Sequence, residues 1–213
     1  MLGKLKKRTY LKISAGKIRK PADPEEPGAE KRIYKDDKGE AHEIWEHNFD
    51  YIEGKIVGLN KKEHDEYGDY LEVELFDGET YVLQMKMTSV WANIFMSKLP
   101  NIDLSQSIRI QPYYFADEKR GAMVILQGKD KVESFFTKDN PISKYGGPEF
   151  PKDLIDKKEW SSKDKNTYKV YKLQRDGWLD EFIFKEVAPK IKRAAEDVIV
   201  AEVEVEKEGD LPF

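Results

Sequence analysis

The sequence predicts a mainly β fold with minor α: a five-stranded barrel with β-hairpin extensions before it and a helix after it. Three observations predict this. Short runs of alternating apolar and polar residues, bounded by Gly, Asp-Gly or Pro, recur over the first 136 residues. Only 88–99 and 178–195 space apolar side chains at helical intervals. Within 50–136 the elements come as three strands, a helix and two more strands.

Tyr10-Leu11-Lys12-Ile13 and Lys17-Ile18-Arg19 flank Ser14-Ala15-Gly16, which reads as a first hairpin. The Pro- and Glu-rich stretch 21–28 cannot be a helix or a central strand and is expected in solvent. Ile33-Tyr34-Lys35 and Glu43-Ile44-Trp45 flank Asp37-Lys38-Gly39 as a second hairpin. These make a basic N-terminal region, 1–49, that extends or covers the core sheet.

Residues 50–136 form the predicted core. Tyr51–Leu59 is a strand with glycines at 54 and 58, suited to a bend or bulge. In Asp69–Leu75, Leu71, Val73 and Leu75 point one way and Tyr70 and Phe76 the other. Asp77-Gly78 turns the chain into Thr80–Met87. Thr88 or Ser89 caps a helix with Val90, Trp91, Ile94, Phe95 and Leu99 on one stripe, and Pro100 stops it. Ser107–Gln111 and Ala122–Gln127 close the unit, joined through Tyr113-Tyr114-Phe115 and a charged turn. This order is that of an OB fold, a small barrel with a helix between its third and fourth strands. A generic open antiparallel sheet with one helix has the same order and stays open as an alternative. In 137–195 a loop precedes a strand at Tyr168–Leu173 and a helix over 178–195 that Pro189 kinks or splits; the helix packs on the core. Residues 196–213 are an acidic tail.

Charge narrows the function. The 213 residues are 37% charged and net −4, with no cysteine and a mean hydropathy of −0.74. No disulfide framework or thiolate metal site is available, no stretch is apolar enough to span a membrane, and the start lacks a secretory leader, so a cytoplasmic protein is expected. Residues 1–20 hold eight cations and no acid, while 196–213 hold seven acids against one lysine. Removing that tail leaves the rest at about +2, an interaction arm and a body able to meet polyanions.

Enzyme motifs are missing. There is no G-x-x-x-x-G-K-S/T loop, no G-x-G-x-x-G and no G-x-S-x-G elbow. His42 and His47 stand five apart, which puts their rings on different helical faces, so no zinc motif, and no cofactor, is expected. A binding surface remains, with cations for phosphates and aromatic side chains on which bases stack. The candidates are Lys4, Lys6, Lys7, Arg8, Lys12, Lys17 and Arg19 of the N-terminal arm, and Trp45. Lys61, Lys62, Tyr67, Tyr70, Phe76, Arg109, Tyr113, Phe115, Lys119 and Arg120 are the candidates in the core and its loops.

The last residues, Glu208-Gly209-Asp210-Leu211-Pro212-Phe213, put acids ahead of an apolar Leu-Pro-Phe segment whose Pro pre-extends it. They resemble the C-terminal tip of single-stranded DNA-binding proteins, with Leu211 where Ile is more usual and Gly209 and Lys207 interrupting the acids. With the element order, the whole resembles the phage replication type more than the bacterial type. The resemblance implies a non-enzyme that coats and protects single-stranded DNA in replication, recombination or repair, in the host cytoplasm if phage-encoded. It also implies that Asp210, Leu211, Pro212 and Phe213 recruit partner enzymes. A protein-binding adaptor of OB-like fold is the competing reading, and a carboxylate nuclease a distant third.

Overall fold

The computed structural model describes residues 8–35, 39–65, 68–155 and 157–195. Expectations placed on Lys4, Lys6, Lys7, Tyr67 and the 196–213 tail lie outside them. The protein is mainly β. Among the described residues, ten strands form one continuous ladder, in the spatial order β10-β9-β8-β5-β6-β7-β1-β2-β4-β3. They are β1 (Arg8–Ser14), β2 (Lys17–Pro21), β3 (Glu30–Lys35), β4 (Ala41–Phe49) and β5 (Ile52–Lys62), then β6 (Tyr70–Asp77), β7 (Glu79–Lys86), β8 (Ile108–Phe115), β9 (Arg120–Gln127) and β10 (Asp130–Lys131). Two α-helices, α1 (Val90–Lys98) and α2 (Ser162–Phe182), pack against it. No helix among the described residues is long and apolar enough to cross a membrane.

Strand β5 organises the sheet because it is long enough to serve two partners. Ile52–Gly54 pair with β8, and Lys55–Lys62 pair with β6 through a bulge between Ile56 and Gly58. Gly54 is required there: a Cβ would sit 2.9 Å from the Phe76 carbonyl oxygen.

The expected five-stranded barrel does not close. Among the described residues β7 makes no ladder with β9; its free edge is taken by β1, which runs parallel to it from Arg8 opposite Thr80 to Lys12 opposite Gln84. On the other side α1 lies over β9 at Gly121, where a Cβ would meet Val90 Cγ1 at 2.5 Å. The β1–β2 hairpin fills the space left between the two halves. Its turn residue Gly16 (φ +72°) abuts the end of β8, and a Cβ there would fall 2.4 Å from the Tyr114 backbone nitrogen. Both the positive φ and the contact exclude a side chain.

The core follows from alternation. Leu71, Val73 and Leu75 of β6 are fully buried with Leu83, Ile108, Ile110, Ile125 and, from the inserted hairpin, Ile18. Helix α1 starts where the Ala92 N–H donates to Ser89 Oγ (3.1 Å) and buries Ala92, Phe95 and Met96. Pro100 does not simply end it but opens a 3-10 turn, Leu99–Asn101, consistent with a ring that fits only a first turn.

The strand expected at Tyr168–Leu173 is instead part of α2. A capping box starts that helix: the Asp164 N–H donates to Ser161 Oγ (3.2 Å) and the Ser161 N–H returns to Asp164 Oδ2 (3.0 Å). Its aromatic face packs on the preceding loop, with Tyr171 5.2 Å from Phe150 and Tyr168 4.9 Å from Trp160. A π turn, Ile183–Val187, precedes Pro189, and the helix continues over 188–195. Extra backbone length just before a residue lacking an N–H is how a helix passes a proline. Beneath it Phe136, Trp178 and Phe182 meet at ring distances of 5.0–5.5 Å.

Hydrogen bonds from Lys157 and then Ser161 hold the Asp164 carboxyl at about 2, below its ordinary 3.8. A depressed carboxyl stabilises the fold fully above the ordinary value and loses that contribution as pH falls through the folded one. The first turn of α2 is therefore expected to begin losing amide protection as pH falls below 3.8 and to have lost this contribution below about pH 2. A carboxyl-carbon NMR titration checks this, with half-titration of Asp164 near pH 2.

Candidate nucleic-acid interface

The ladder sorts the candidate residues onto faces. Opposite the core, cross-strand neighbours form rows that run over β5, β6, β7, β1 and β2. One row is Lys55, Phe76, Thr80 and Arg8. The next holds Glu74, Val82 and Tyr10. A third is Asn60, Glu72, Gln84, Lys12, Arg19 and, on β4, Asn48. The last is Lys62, Tyr70 and Lys86. Directly opposed residues on one face lie about 4.5–5.5 Å apart at Cβ, so each row is a physical neighbourhood.

Six cations and two carboxylates, Glu72 and Glu74, stand on these rows, and both carboxylates are engaged. Glu74 accepts from Arg8 (3.4 Å) and Asn60 (3.2 Å), and Glu72 accepts from Gln84 (2.8 Å). Lys12 is exposed and has no carboxylate partner among the described residues. At the β2 end, Arg19 (2.8 Å) and Arg32 (2.9 Å) converge on Glu46. Burial pushes that carboxyl up, but the hydrogen bonds from Arg32 and Arg19 outweigh it and hold it below the usual carboxylate range. Glu46 thus stays charged and fixes both guanidinium groups. Tyr10, 44% exposed, lies between Arg8 and Lys12 on the same strand face.

A second group occupies the outer face of the β8–β9 hairpin. Arg109 stacks 4.3 Å over the Tyr51 ring while bridging Glu53 (2.9 Å), and Arg120 lies 4.9 Å over Phe115. Tyr113, Tyr114 and Phe115 are all exposed and lie in the strand, not in a connecting loop. Lys119 holds the turn with φ +47°. The two groups meet where Gly16 touches the Tyr113–Tyr114 backbone, next to Lys17, which pairs with Asp50.

Two sequence candidates are placed elsewhere. Trp45 is half-buried and opposes Lys31 on the other face of β4 from Glu46 and Asn48. Lys61 alternates to the side of Leu71 and is held by Asp180 (2.7 Å) and Asp69 (3.2 Å); the Asp180 hydrogen bond foremost raises its pKa. It is a clamp between β5 and α2. Sequence reasoning missed Tyr10, Gln84 and Asn48. The alternation Arg8-x-Tyr10-x-Lys12 was a signal, but only pairing with β7 puts it beside Thr80, Val82 and Gln84, on the same face as Phe76.

Among the described residues no group of three His, Asp or Glu side chains could hold a metal ion. No protein-family model, curated protein or solved structure matches this chain.

Proposed function

We propose that this protein binds single-stranded nucleic acid, in the first instance single-stranded DNA, across the outer face of β6, β7, β1 and β2. The observation that carries the reading is the Arg8-Tyr10-Lys12 strand face, on the same side of the sheet as Phe76 and Tyr70 one strand beyond β7, a surface with a cationic excess and rings on two strands. Cations track the phosphate backbone without reading sequence, and each base–ring stack is worth about 1–3 kcal/mol.

In the same reading β5–β9 with α1 are an OB-type unit, opened where β1 takes the edge that barrel closure would use. The inserted hairpin then adds Arg8, Tyr10, Lys12 and Arg19 to the face of the second and third strands that OB folds use for ligands. The Asp210–Phe213 segment serves partner proteins in replication or repair.

A second reading, a protein-binding adaptor, is favoured by Val170 and Leu173, 55% and 74% exposed on α2. Titration with an oligothymidine across a salt series separates the two. The first predicts binding to single strand over duplex, with a log-log salt slope of about −0.7 per phosphate neutralised. Binding absent at low salt, or indifferent to salt, favours the adaptor.

A further inference from the structure

A cleft of about 880 Å³ opens between α1, the 134–155 segment and α2, on none of the rows described above. Its size is that of a ligand site. Phe136, Phe150 and Ile155 line it, and the last two are exposed at its mouth (39% and 52%). Three polar features give it direction. Asn93 lines it, and its Oδ1 is buried and accepts no hydrogen bond. Arg175 spends Nε and Nη2 on Asp176 (2.9 and 2.6 Å), so its Nη1 is available to an anion. Lys138 adds a second positive charge. The ligand class is an extended peptide with large apolar side chains and carboxylates.

The chain supplies such a peptide. Asp210-Leu211-Pro212-Phe213 is apolar and acidic and follows Glu202, Glu204, Glu206 and Glu208. We propose that this segment docks in the cleft of its own chain. Reach allows it: from Ala195 back to Arg175 is about 30 Å at helical rise, while residues 196–213 span up to about 59 Å extended. A fixed-φ Pro between Leu and Phe lowers the entropy lost on docking. The proposal does not depend on nucleic-acid binding, since cleft and outer face share no residue.

The chain contains no cysteine, so a disulfide trap is clean. Leu211→Cys is paired with Ile155→Cys at the mouth, or with Leu173→Cys, which is 74% exposed on α2 outside the cleft. Ile155 and Leu173 tolerate substitution because both are exposed. Under mild oxidation of the full chain the 155–211 pair should form an intrachain disulfide at least tenfold faster than the 173–211 pair, and Arg175→Glu should slow it severalfold. Equal rates for the two pairs overturn the proposal. So does a dithiothreitol-sensitive band at twice the mass that fades on dilution, which would assign the occupant to a second copy.

Discussion

Replacing Arg8 and Lys12 together by glutamate is expected to weaken binding of an oligothymidine by roughly 100-fold at moderate salt. Both side chains are exposed on the outer face of β1, four residues apart, and flank Tyr10. Two charge-assisted contacts at about 1.5 kcal/mol each amount to about 3 kcal/mol, or two decades in affinity. The salt slope should fall by about 1.4, since two phosphates are no longer neutralised. Stability should fall modestly as well, because Arg8 is half exposed but its partner Glu74 is only 13% exposed and would then face a like charge. Fluorescence anisotropy across salt, with a thermal melt as control, checks both parts. An unchanged affinity in a variant still folded by that melt would remove β1 from the interface.

Phe95→Ala should have the largest effect on stability, a loss of about 3–5 kcal/mol. Phe95 is fully buried at the centre of α1, in the one cluster that joins both halves of the sheet to α2. Truncating it forfeits transfer free energy and leaves a cavity in a close-packed core. A domain of this size has roughly 5–15 kcal/mol in total, so the variant should melt about 10 °C lower. In urea the midpoint should drop with the slope unchanged. A change in slope would mean that α1 detaches separately and the molecule is not one cooperative unit.

What could be read from the sequence was what is local. The β6 alternation and the Ser89 cap lie where the local pattern puts them. The α1 stripe holds at Phe95 and Leu99 but not at Val90, which is 41% exposed while Ala92 and Met96 are buried in its place. Barrel closure could not be read, because it depends on whether β7 pairs with β9 or with a strand some seventy residues away. Arg8 opposite Thr80 is a parallel pairing with no turn to announce it. The 168–173 stretch misled because Tyr-Lys-Val-Tyr-Lys-Leu alternates as a strand does. The Ser161 and Asp164 cap was the better guide to that segment, and Val170 and Leu173 are left in solvent.

The site divides in the same way. Tyr70, Phe76, Lys12 and Arg19 sit on one face because alternation dictates it. Lys61 leaves it because Asp180, 119 residues later, captures it. Tyr10 joins it only through the long-range ladder. Its place beside Val82 depends on the same β1–β7 pairing that keeps the barrel open, so fold and proposed function rest on one feature.

The most direct test of that feature is photocrosslinking of an oligothymidine bearing 5-iodouracil, followed by digestion and mass spectrometry. Binding across β6, β7, β1 and β2 predicts adducts at Tyr10 and at Phe76 or Tyr70. Adducts confined to Trp45 or Trp160, in an oligonucleotide that binds, would contradict it and place the strand on another face.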